Sequence, residues 1–303
     1  MLKRTLLITF IIITASAELT AMNTKAEKHE NYSDIEYRLE SAIHAFYQSH
    51  WEDAEAILDE LTSSDPNDLR PYFFEAMLPF WKYFFAGEEP EVAQRFLEKS
   101  QKAVRIGNEY LDQHPNDTTV VLMMGGLYGY RGLVAASEKQ YRTALQSGAN
   151  GFSFTRKLMS MDSSHPDALI GQGVFNYMVG NIPREAKWLT SFAGLNGDKA
   201  TGFEKLEEAS QKSTHTSTDA RMILTYLYQR EERYDDALRV VSSLVEQWPD
   251  NIIFRYYYAK SLEYNNKYDQ AREAYRMVAE SGQKHLDLIQ QRSAEKVDQL
   301  AQK

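Results

Sequence analysis

The chain has 303 residues, 43% of them apolar and 25% charged, with no cysteine and a formal net charge of −9. Without cysteine there are no disulfides, thiolate metal sites, cysteine nucleophiles or cysteine-linked lipid anchors. The balance of 34 basic against 43 acidic residues speaks against nucleic acid, whose phosphates need a basic face. At the N-terminus, Lys3 and Arg4 precede an apolar run from Thr5 to Thr14, and Ala15-Ser16-Ala17 follows with the small-x-small pattern of a signal peptidase site. Residues 1–17 are expected to be a signal peptide and 18–33 a flexible segment. The run is too short to span a bilayer as a helix, which takes about 20 apolar residues. Cleavage after Ala17 would leave 32 basic and 43 acidic groups, a net charge of −11. The expected product is exported, periplasmic if the source is a Gram-negative bacterium and otherwise secreted, with no integral membrane span after signal removal.

From residue 34 onward the pattern is helical. Apolar residues recur at steps of three and four, and alternating Val/Ile/Thr runs are few. Trp51-x-x-Ala54-x-x-x-Leu58-x-x-Leu61 has the same spacing as Tyr234-x-x-Ala237-x-x-x-Val241-x-x-Leu244 and Tyr268-x-x-Ala271-x-x-x-Tyr275-x-x-Val278. The last two copies are offset by 34 residues. An alanine lets a neighbouring backbone approach, and the large residues four and seven positions later fill the space beside it. Pro66, Pro115, Pro166 and Pro249 mark turns, each next to Asp or Asn residues suited to capping; each proline is expected in the first turn of the following helix.

The middle of the chain is different. The proline turns there lie 49 and 51 residues apart, which requires longer helices or an extra helix per unit. Gly125, Gly126, Gly129 and Gly132 fall in an apolar stretch, and Gly171 and Gly173 in another. The Gly-Lys-Ser/Thr ending of a phosphate-binding loop is missing, so close helix packing is the expectation. Pro183 is expected to begin a helix carrying Trp188, Leu189 and Phe192.

The spacing resembles the tetratricopeptide repeat, a 34-residue helix–turn–helix unit. The resemblance is best at about 35–68, 218–251 and 252–285, with 284–302 similar to the solvating helix that closes such arrays. It implies an all-α fold, an α-solenoid of antiparallel helix pairs over residues 34–303 with a C-terminal capping helix. It also implies that the first helix of each unit lines a concave groove. On that basis Asp219, Met222, Tyr226, Gln229, Tyr256, Lys260 and Glu263 are the groove candidates, whereas Tyr257 and Tyr258 are expected to pack between helices.

No catalytic motif or metal-binding spacing is present, and no cofactor is expected. The dispersed histidines and the Glu231-Glu232 and Asp235-Asp236 pairs read as turn and helix-start residues. The expected function is that of a non-catalytic scaffold for a protein or peptide. The alternative is an enzyme or small-ligand carrier with its site in the Gly- and aromatic-rich region 120–205.

Overall fold

The computed structural model describes residues 34–87, 89–161, 168–181, 197–212, 216–283 and 286–302. The expected signal peptide at 1–17, the expected flexible segment 18–33, the turn around Pro166 and the stretch beginning at Pro183 lie outside these residues. Among the described residues all regular structure is helical: α1 (34–47), α2 (Trp51–Ser64), α3 (Leu69–Ala86), α4 (Pro90–Gln113), α5 (Thr118–Ser137), α6 (Tyr141–Met161), α7 (Ala168–Gly180), α8 (Lys199–Ser210), α9 (Thr216–Arg230), α10 (Tyr234–Gln247), α11 (Ile252–Tyr264), α12 (Tyr268–Ala279) and α13 (Asp287–Leu300). Hairpins α1/α2, α3/α4, α5/α6, α9/α10 and α11/α12 stack on one another, α7 packs on α8, and α13 closes the end against α12. The chain is an all-α helical-repeat solenoid.

The repeated alanines behave as their spacing predicts. Ala54, Ala237 and Ala271 are completely buried, with Leu58, Val241 and Tyr275 beside them. Within each hairpin the turn contains one residue in the left-handed region: Ser49, Gly87, Lys139, Glu232 or Asn266. A single such residue reverses the chain in three or so residues, which keeps the two helices of a hairpin in contact.

The prolines sit elsewhere than expected. Pro66, Pro115 and Pro249 lie in the turn, and the next helix begins three residues later at Leu69, Thr118 and Ile252. The caps are the residues two after each proline. Asp68 accepts from the Arg70 amide (2.9 Å), Asp117 from the Val120 amide (3.0 Å) and Asn251 from the Phe254 amide (3.0 Å). An Asp or Asn in extended conformation supplies that bond better than a proline ring inside the helix.

The wide proline spacing comes from helix length: α4 has 24 residues and α6 has 21, against 14 in α2 and α10. The α5 helix runs unbroken through its four glycines. A Cβ on Gly151 of α6 would lie 3.1 Å from the Gly129 amide nitrogen, so these two backbones are in contact. Likewise a Cβ on Gly202 of α8 would lie 2.6 Å from the Tyr177 nitrogen of α7. By length and composition α5 is apolar enough to cross a membrane; here it packs among α3, α4, α6 and α7.

Candidate functional site

The groove candidates occupy the inner faces of α9 and α11, where steps of three and four residues align side chains on one side. Their surroundings differ from an open groove. The Tyr47 hydroxyl, at the end of α1, donates to Asp219 at 3.0 Å. Met222 is completely buried. The half-buried Tyr226 ring packs against Phe84 (5.3 Å) and Phe85 (6.4 Å) of α3. Gln229 is buried and donates to Ser261 Oγ at 2.8 Å, bracing α9 on α11. Tyr256, Lys260 and Glu263 keep partial exposure. Tyr256 stands edge-on to Tyr257 and Tyr275, and Lys260 lies over the Tyr257 and Tyr264 rings. Glu263 accepts from Tyr275 (2.9 Å) and from Lys296 of α13 (2.7 Å).

The cover over Asp219, Met222 and Tyr226 is the chain's own N-terminal part. His44 and Tyr47 rings meet Trp248 at 5.4 and 5.1 Å, and Trp81 meets Phe254 at 5.7 Å. Asn251 Nδ2 donates to the Tyr47 carbonyl at 2.7 Å, and the Tyr257 hydroxyl to the Phe85 carbonyl at 3.4 Å. Arg292 of α13 donates to the carbonyls of Ala86 (2.8 Å) and Gly87 (3.2 Å). These acceptors are at the C-terminal ends of α1 and α3, where helix carbonyls have no partner within the helix. The C-terminal units therefore cap two helices about 200 residues away in sequence, and the array closes on itself. This corrects the open-groove reading at Asp219, Met222, Tyr226 and Gln229. Repeat spacing encodes contacts between neighbouring units and carries no signal for contacts between the two ends.

Three further members of this interface, Asn251, Tyr257 and Arg292, carry no mark of that role in the sequence. Asn251 reads as a cap, Tyr257 as a packing residue and Arg292 as part of a surface helix; each also holds the N-terminal part.

Burial dominates the electrostatics here. The Tyr47 hydroxyl is pushed well above the usual phenol range by burial and then by the Asp219 carboxylate. Burial raises Tyr256 and lowers the Lys260 ammonium, which Glu263 partly restores. Lys260 lies over the Tyr257 and Tyr264 rings as a cation–π partner, and the Tyr47 hydroxyl acts as a hydrogen-bond donor. Among the described residues no group of three or more His, Asp or Glu side chains could hold a metal ion. Together, rings and side-chain donors facing backbone carbonyls form a surface that grips helices.

Residues 225–285, which span α11 and α12 with part of α9 and all of α10, match the family described as tetratricopeptide repeat. This C-terminal part of the chain is thus similar to tetratricopeptide repeats. Among solved structures the chain is similar to a thermophilic TPR protein of Thermus thermophilus, at 14% identity over 75% of this chain and 98% of that one, with a TM-score of 0.45. A tetratricopeptide repeat protein from Parabacteroides merdae is 17% identical over 89% of this chain and 90% of that one, with a TM-score of 0.37. No curated protein matches.

Proposed function

We propose that this protein is an exported, non-catalytic scaffold that binds a protein or peptide on the inner face of its C-terminal repeats. The observation that carries the reading is the way this face holds α1 and α3. Aromatic rings pack on the helices while Asn251, Tyr257 and Arg292 donate to backbone carbonyls. Backbone recognition beside aromatic pockets is the chemistry of peptide binding. The partner engages the part left half-exposed, Tyr256, Lys260 and Glu263, next to Tyr226. Export is supported by the basic start, apolar run and Ala15-Ser16-Ala17 of the sequence; N-terminal sequencing of the native protein should begin at Glu18.

The binding surface is tested by affinity capture from the source's own envelope or culture fluid with the mature chain. Tyr256→Ala with Lys260→Ala should abolish capture without lowering helical content. Tyr226 is left intact in this variant because its ring also packs on Phe84 and Phe85, so its loss would loosen the closure as well. Undiminished capture by the double variant refutes the assignment.

A further inference from the structure

Between α4 and α6 lies a cleft of about 480 Å³. These are the second helices of their hairpins, so the cleft is on a different side of the stack from the closing contacts, which come from α1, α3, α9, α11 and α13. Arg131 of α5 lines it and is only 7% exposed. Its Nη1 donates to the Leu97 carbonyl and to Ser100 Oγ, both at 2.6 Å, and Nη2 donates to Gln101 Oε1 at 2.8 Å. All three acceptors are neutral. Among the described residues Arg131 forms no ion pair, and two of its five N–H donors, one on Nε and one on Nη2, have no protein acceptor. A buried cation without a counter-ion is strongly unfavourable. Burial accordingly lowers the pKa of this guanidinium, with no carboxylate acting to restore it.

The walls reinforce the positive character. Lys102 and Arg105 of α4 line the cleft together with Gln140 and Thr143 at the start of α6, and the Lys102 ammonium also lies over the Tyr72 ring at 4.5 Å. The one acidic wall residue, Glu98, takes a hydrogen bond from Gln94 at 2.9 Å, and Arg105 also pairs with Glu109 at 3.1 Å on the exposed side of α4. Three cations thus share a cleft with one carboxylate, in a chain whose overall charge is −9. The 21-residue α6 begins at Tyr141 with no acidic residue in its first turn, and its positive end lies beside the cleft.

We propose that this cleft binds a small organic oxyanion, a phosphate or sulfate ester, with the anionic group on Arg131 and the polar body among Gln101, Gln140 and Thr143. The volume is that of a small-molecule site and exceeds what a bare ion fills. An oxyanion supplies the missing counter-charge and accepts from both remaining guanidinium donors in the fork geometry arginine favours.

The test is calorimetric titration of the mature full-length chain, at constant ionic strength, with glycerol 3-phosphate, inorganic phosphate and glycerol. Saturable binding of glycerol 3-phosphate and none of glycerol is expected, and Arg131→Gln should weaken binding by at least about tenfold, the worth of a charge-assisted bidentate contact. Should Arg131→Gln fail to fold, Lys102→Gln with Arg105→Gln, at exposed positions, must weaken binding several-fold. Stronger binding of the ester assigns the cleft to an organic ligand. Equal binding of inorganic phosphate keeps the oxyanion site but assigns it to the free ion. No saturable binding of either anion, or wild-type affinity in every folded variant, overturns the proposal.

Discussion

Replacing Asn251 separates two contributions that this residue makes at once. Its Oδ1 caps α11 by accepting from Phe254, and its Nδ2 donates to the Tyr47 carbonyl at the end of α1. The side chain is 1% exposed, so water does not replace either bond. Serine is as good an N-cap as asparagine but is too short to reach the Tyr47 carbonyl. Asn251→Ser should therefore leave the cap and orphan a buried acceptor, a loss of about 1–3 kcal/mol. Asn251→Ala removes the cap as well, worth about 1 kcal/mol more, for a total of about 2–4 kcal/mol. Urea unfolding measures both losses, and hydrogen exchange locates them. Amides of α1, some 200 residues distant in sequence, should exchange faster in Asn251→Ser. If α1 protection is unchanged and the stability of Asn251→Ser stays within about 0.5 kcal/mol of wild type, the ends of the array are not joined as described.

Two glycines of the middle region should respond with opposite signs. Gly129→Ala places its methyl in open space within a helix and should stabilise by up to about 1 kcal/mol, whereas Gly202→Ala drives a methyl into the Tyr177 backbone and should destabilise by about 1–3 kcal/mol or more, both read by thermal unfolding. Glu75 is buried in α3, and burial raises its pKa, with Lys99 opposing. A raised folded-state pKa means that the native form holds the proton longer than the unfolded chain, so this group's stabilising contribution is full below the unfolded carboxylate range and is lost as pH rises through the folded value. Glu75→Gln should remove that part of the pH dependence and raise Tm at neutral pH; an unchanged slope of stability against pH would show that Glu75 ionises freely.

The helical hairpins were legible because their signals are local. Ala54, Ala237 and Ala271 are small where the helices touch, and Asp68, Asp117 and Asn251 cap the helices that follow. Gly132 of α5 and Gly173 of α7 announced close packing through their lack of side chains, and each lies against the backbone of the next helix. Placement of the prolines was less legible, since a proline is compatible with either a turn or a first helical turn, and the cap residue decides between them. Arg131 carried no signal either. Its position in the sequence, near the end of an apolar helix, does not reveal that Leu97, Ser100 and Gln101 surround its guanidinium.

Residue order was enough to define the all-α repeat class and the buried face around Ala54, Ala237 and Ala271, because each depends on residues within a few turns of one another. The cysteine-free, acidic composition was equally plain from it. Closure of the array, which brings Tyr226 and Asp219 against Phe84 and Tyr47 of the N-terminal helices, came only from the packing in three dimensions. The reason is cumulative geometry. Small rotations between successive hairpins, some lengthened to helices of 21 and 24 residues, add up over the whole stack before α1 and α11 come within reach of one another.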